Sequence, residues 1–238
     1  MTTLVVGASG ATGRLVVDQL LLQGQMVKVV VRAGSSLPAH FQLNKKISIT
    51  YADLLDLSDE QLIEQVQGCE AVVCCLGHNL SFKGIFGQPR RLVTEATQRL
   101  CQAVEATKPK QAIKFILMNS VGNQNKAAGE KVSLMHSAVI LLLRACLPPH
   151  PDNEQAAAFL QRSLMASPSI EWVAVRPDSL IDEPEVSAYS LHPSPIRDAL
   201  FDSGKTSRIN VAHFMVQLIT QPALWQQWRG QLPVIYND

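Results

Sequence analysis

The chain has 238 residues, 47% of them hydrophobic and 17% charged, with 21 Lys and Arg against 20 Asp and Glu for a formal net charge of +1. That length and apolar content suit one globular domain, or one domain with a small cap, and exclude a disordered chain. A charge so close to zero offers no bulk attraction for nucleic acid or an anionic membrane surface, so neither is expected as a partner.

A strand is expected over Thr3–Val6, and a helix over Ala11–Gln23 with Leu15, Val16, Leu20 and Leu22 apolar. Between them runs VVGASGATGR, with glycines at 7, 10 and 13. Strand, glycine turn and helix in that order make a phosphate cradle. Gly7 permits the tight turn. Gly10 lets the backbone approach a phosphate with no Cβ in the way, and Gly13 lets the helix lie close on the sheet. The free N–H groups and positive end of the helix then face a pyrophosphate, with Ser9, Ala11 and Thr12 completing the loop. Because the strand begins at once, no signal peptide is expected before it.

The second strand, Val27–Val31, decides the type of cofactor. A fold of this kind that prefers NAD(H) carries an acid at its end for the adenosine ribose 2′-OH. Here the chain reads VKVVVRAGSS, and Arg32 stands in that place. A guanidinium presents a planar fork of charged donors that suits a 2′-phosphate, and Ser35 and Ser36 add hydroxyls. The reading is NADP(H) in preference to NAD(H); the rival for Arg32 is a solvated charge at a strand end.

Further strands are expected over Ile47–Tyr51, Ala71–Cys75, Phe115–Met118, Trp172–Arg176 and Val234–Tyr236. Helices are expected over Ser58–Gln67, Arg90–Thr107, Glu154–Ala166 and Val211–Thr220. Most of the strands are β-branched or otherwise apolar on both faces, as in a parallel sheet covered on both sides, and the alternation implies right-handed crossovers. The fold class expected is therefore α/β: a Rossmann-type doubly wound parallel sheet in one domain over 1–238. A small acceptor-binding lobe would come from about 123–155 and 177–210. The Pro-rich pieces LPPHP at 147–151 and HPSP at 192–195 read as loops.

Asp53-Leu54 and Leu76-Gly77-His78 fall at carboxyl ends of strands, where ligands bind in open α/β sheets. Asp53 could accept from the adenine amino group with Leu54 against the ring, or serve as a turn residue. Gly77 could let the backbone pass close to the adenosine, and His78 could be a plain loop histidine.

Taken in order, GASGATG, VRAGSS, ADLLD, CCLGHN, LMNSVGN, WVAVRPDSL and RINVAHFM resemble the atypical NAD(P)H-binding branch of the short-chain dehydrogenase/reductase superfamily. Within it they are most similar to the flavin reductase/biliverdin reductase B group and the NADH-flavin reductases. The resemblance places Asn119, Ser120 and Pro177-Asp178-Ser179-Leu180 around the nicotinamide, with Ser120 as the tentative catalytic residue. Ser120 stands where the superfamily's serine would be; its other reading is a strand-end serine that satisfies backbone. The resemblance also carries departures. The flavin and biliverdin reductases have a His where Ser179 aligns. The usual Tyr with a Lys four residues on is missing: the tyrosines are Tyr51, Tyr189 and Tyr236, and Tyr189 is followed at +4 by Pro193.

Reducing a ketone requires a proton delivered to a weakly basic oxygen as hydride arrives, which is the task of that Tyr. A flavin or quinone asks less, because protons can follow from water. The function read from the chain is thus NADPH-dependent hydride transfer to a flavin, quinone or similar planar acceptor. Two alternatives stay open: a non-catalytic NADP(H)-binding sensor or assembly protein, and an epimerase for which no acid/base pair is found.

The run SLMHSAVILLLRACL at 133–147 is too short to span a bilayer. It reads as a helix on the sheet edge or, alternatively, as a lid with Met135, His136 and Leu142 facing the acceptor. Asp152 and Glu154 are possible acids, with no partner at fixed spacing. Five cysteines, an odd number without a CxxC pair, point to a reduced chain, and His and Cys nowhere fall at zinc-site spacing. A cytoplasmic monomer or weak dimer acting on a small molecule, with no metal, is the expectation.

Overall fold

A computed structural model describes residues 1–78, 87–125, 129–130, 149–198 and 201–238. The run 133–147, with Met135, His136 and Leu142, lies outside the described residues. The elements, in chain order, are β1 (Thr2–Val6), α1 (Ala11–Leu22), β2 (Met26–Val31), α2 (Ala39–Leu43), β3 (Ile47–Tyr51), α3 (Asp59–Val66), β4 (Ala71–Cys74), α4 (Leu92–Ala106) and β5 (Ile113–Met118). There follow α5 (Pro149–Ser163), β6 (Ile170–Pro177), β7 (Ser179–Ile181), β8 (Tyr189–His192), β9 (Lys205–Ser207), α6 (Arg208–Thr220), α7 (Pro222–Trp228) and β10 (Val234–Asn237).

Eight strands form one sheet in the order β3-β2-β1-β4-β5-β6-β10-β8. All pairs are parallel except β10 with β8. Strand residues alternate between two cores because successive side chains point to opposite faces. Leu4, Val6, Val72, Cys74, Phe115 and Leu117 pack with α3, α4 and α5. Val5, Val29, Val73, Ile116 and Val173 pack with α1, α6 and α7 on the other face. Each fully buried Leu or Val contributes about 1.5–3 kcal/mol, which is why the central strands carry no polar face. The doubly wound sheet is the one that the alternation of elements predicts.

Differences from the sequence reading cluster in the second half. α5 begins at Pro149, where LPPHP was expected to loop. Pro in a first helical turn gives up only N–H groups that have no intrahelical partner, so Pro151 is compatible with the helix. α6 begins at Arg208 rather than Val211, because the Ser207 hydroxyl accepts from Asn210 N at 3.3 Å and caps it. α2, α7 and the two-stranded parallel ribbon β7-β9 were not expected; each is too short for a periodic signal. Among the described residues no helix is long and apolar enough to cross a membrane.

Candidate cofactor and acceptor site

Strand order reverses between β1 and β4, and ligands of open α/β sheets bind at such a point beyond the carboxyl ends. Gly7 has φ +81°, and a Cβ on it would stand 2.5 Å from Cys75 O at the end of β4. A Cβ on Gly13 would collide with the Gly7 carbonyl. The turn is therefore pressed between β4 and α1, and only glycine fits at either place. A Cβ on Gly10 would meet nothing but Gly7 O at 3.2 Å, so the space above it is open. Gly10 is the N-cap of α1, yet no side chain caps that helix and its first turn holds no acid. An open glycine cradle under an uncapped helix end fits a dinucleotide pyrophosphate.

Arg32 ends β2 as an exposed side chain whose guanidinium bonds no described residue. Its carbonyl accepts from Ser35 N at 3.0 Å, closing the turn that carries Ser35 and Ser36. Asp53 acts locally: its Oδ1 accepts from Leu55 N at 3.1 Å. Leu54 is buried in the core beside α3 and α4. Arg99 of α4 pins this loop through the carbonyls of Leu54, Leu55 and Leu57 and the Asp59 carboxylate, a role with no mark in the sequence.

At the end of β4, Leu76 packs on the core, and a Cβ on Gly77 would meet nothing within 4 Å. His78 is no plain loop histidine. Its side chain is 4% exposed and its Nε2 lies 2.7 Å from Asp152 Oδ2. A carboxylate only accepts, so Nε2 carries the proton. The same carboxylate accepts from Val93 N at 2.8 Å and Thr94 N at 2.9 Å, capping α4 from α5. Burial would raise the pKa of Asp152, but the bonds from His78, Thr94 and Val93 outweigh it and hold the carboxyl below its ordinary value. Next along α5, Asn153 O accepts from Asn119 Nδ2 at 2.9 Å. The first turn of α5 thus ties together the ends of β4 and β5.

Asn119 Oδ1 in turn accepts from Ser120 N at 2.8 Å, and Ser120 Oγ accepts from Gly122 N at 3.2 Å. The Ser120 oxygen serves backbone, and its hydroxyl hydrogen remains to donate. Beyond Pro177, which ends β6, Asp178 is 7% exposed and accepts from Ser179 N at 2.7 Å and Gly204 N at 2.9 Å. Burial pushes its pKa up against those donors. Ser179 is exposed, and Leu180 packs partly buried against the α1-side core.

Beneath this edge lies Arg176, fully buried. It holds Glu130 through two bonds of 2.7 and 3.0 Å, Leu232 O at 2.8 Å and Asn123 O at 3.0 Å. It thereby fixes the loop after Ser120 to β6 and to the start of β10; the sequence reading missed it. Tyr51 is exposed at the end of β3, Tyr189 Oη bonds His213 Nδ1 at 2.8 Å, and Tyr236 is buried in β10. Burial pushes the Cys74 thiol up to about 11 and raises Cys69, Cys75 and Cys101 as well, so none of these four is a ready nucleophile.

The chain belongs to the NAD(P)H-binding family, whose profile matches residues 7–222. It is 28% identical over 220 residues, 91% of this chain and 71% of the other, to an uncharacterized chloroplastic protein of Arabidopsis thaliana. Three solved structures share its fold. A Veillonella parvula short-chain dehydrogenase/reductase in complex with NADP has TM-score 0.72 at 14% identity, over 99% of this chain and 94% of that one. A Streptococcus pneumoniae protein provisionally named as an NADH-flavin reductase has TM-score 0.69 at 15% identity, over the whole of both chains. An Escherichia coli anaerobillin reductase has TM-score 0.68 at 16% identity, over 100% of this chain and 97% of that one.

Proposed function

We propose that the protein is an NADPH-dependent oxidoreductase that passes hydride to a flavin, a quinone or a similar planar conjugated acceptor. The observation that carries this reading is an open, uncapped glycine cradle in a sequence where no Tyr is followed four residues on by a Lys. The reductase names of the S. pneumoniae and E. coli neighbours lend it support.

The cofactor, when bound, supplies the hydride. The chain's own residues bind and orient. The turn from Gly7 to Gly13, with Ser9, Ala11 and Thr12, holds the pyrophosphate against the α1 N-terminus. Arg32 offers its exposed fork to the ribose 2′-phosphate. Leu76, Gly77 and His78 border the adenosine side, and Asn119, Pro177, Ser179 and Leu180 the nicotinamide side. Ser120 donates its hydroxyl hydrogen to the carboxamide or the acceptor, while Asn119 and Gly122 hold it in place. Without a Tyr-Lys pair the site favours acceptors that take their proton from water.

The test is loss of NADPH absorbance with purified protein and a panel of FMN, riboflavin and simple quinones, with NADH run alongside. Turnover above the rate without enzyme, faster with NADPH, is the expected result. Tight NADPH binding with no turnover on any acceptor would overturn it in favour of a cofactor-binding sensor or assembly protein.

A further inference from the structure

In the proposed cofactor site one cation, Arg32, serves the 2′-phosphate. A second lies on the helix beside it. Arg14 is in the first turn of α1, exposed, and among the described residues its guanidinium bonds only Ser9 O, from Nη2 at 3.3 Å. The guanidinium thus lies along the rim of the glycine turn, at Ser9.

The direction of that rim follows from a contact one turn further along. Asp18 shares a helix face with Arg14, since residues four apart are neighbours on a helix. Asp18 would be the natural partner of Arg14. Instead Asp18 Oδ1 bonds His40 Nε2 at 2.7 Å. His40 belongs to α2, which closes the segment that begins at Arg32. The same segment is held down by Leu37 and Phe41, 8% and 0% exposed in the core shared with α1. The face of α1 that bears Arg14 therefore looks onto the segment that bears Arg32, Ser35 and Ser36. Diverting Asp18 to His40 does two things. It fastens that segment to α1, and it leaves Arg14 without a carboxylate among the described residues.

We infer that Arg14 is a second specificity-determining arm of the 2′-phosphate site, closing on that phosphate from α1 while Arg32 meets it from β2. This rests on the NADPH reading above. Two guanidinium forks fit the oxygens of one phosphate, and a bare ribose hydroxyl offers neither fork an anion to hold.

The experiment uses two probes that differ only by the phosphate in question, adenosine 2′,5′-bisphosphate and 5′-AMP, titrated calorimetrically into the full chain. Wild type binds the bisphosphate at least tenfold tighter. Arg14→Ala lowers that ratio about tenfold and leaves 5′-AMP affinity within twofold. Arg14→Lys, which keeps the charge but not the fork, falls between the two. Arg32→Ala is the control for the other arm. A loss of the ratio in Arg32→Ala with none in Arg14→Ala overturns the inference and leaves the NADPH reading standing. Equal losses for both probes in Arg14→Ala place it on the 5′-phosphate side and overturn it too. A wild type that does not distinguish the probes overturns the NADPH reading, and the role of Arg14 with it.

Discussion

Asp152 accepts a 2.7 Å hydrogen bond from His78 although 74 positions separate them, and both side chains are buried. The same carboxylate caps α4 through Val93 N and Thr94 N. Asp152→Ala removes the carboxylate that three buried donors share and is expected to cost about 3 kcal/mol in urea unfolding. Asp152→Asn, which keeps one acceptor oxygen, is expected to cost roughly half of that. The pH dependence has a definite sign. The folded carboxyl titrates below its ordinary value of 3.8, so its stabilisation is present above that value and is lost as pH falls through the folded pKa. Asp152→Asn should therefore lose less stability than wild type on acidification below about pH 4. Parallel acid-unfolding curves for the two proteins would refute this.

Gly10 separates binding from folding. Its φ of −76° is open to any residue, and a Cβ there meets only Gly7 O at 3.2 Å. Gly10→Ala should shift Tm by no more than a few degrees, about 1 kcal/mol or less. It should weaken NADPH binding more than tenfold, because the methyl occupies the space over the helix end. Gly7→Ala, at φ +81° and against Cys75 O, should instead fail in stability itself. Thermal melts beside cofactor-fluorescence titrations distinguish the two.

Arg176 should dominate the stability of the edge that carries Ser120. Arg176→Ala uncovers the buried Glu130 carboxylate and is expected to cost about 3–5 kcal/mol. Glu130→Gln should cost less, about 1–2 kcal/mol, since Arg176 keeps the carbonyls of Leu232 and Asn123. Denaturant midpoints measure both, and the reverse order would contradict a guanidinium-centred network.

Ser120 tests the reaction more directly. Ser120→Ala gives up one turn bond to Gly122 N, for about 1 kcal/mol of stability. On the acceptor that wild type turns over, kcat should fall about tenfold. An unchanged kcat would leave Ser120 as a strand-end serine that serves backbone alone.

What the sequence by itself determined was local. The runs Thr3–Val6, Val27–Val31 and Ala71–Cys75 are apolar but for Thr3 and Lys28, so they had to be buried on both faces. Strands like these, alternating with amphipathic segments, admit few arrangements other than a helix-covered parallel sheet. The glycines at 7, 10 and 13 were legible for the same reason: a positive φ and a missing Cβ are demands on single residues. What only the tertiary structure decided was who meets whom. In the sequence Asp152 is an acid without a partner at fixed spacing, and Arg176 is one charge at the end of an apolar run. His40 and Asp18 carry no mark in the sequence, and Arg14 is there merely the residue after a glycine. Their partners lie 74, 46 and 22 positions apart for His78–Asp152, Glu130–Arg176 and Asp18–His40. No spacing rule reaches that far. A buried carboxylate or guanidinium takes whichever donor or acceptor the strand order brings to the same edge, and that order is set by the packing of the whole sheet.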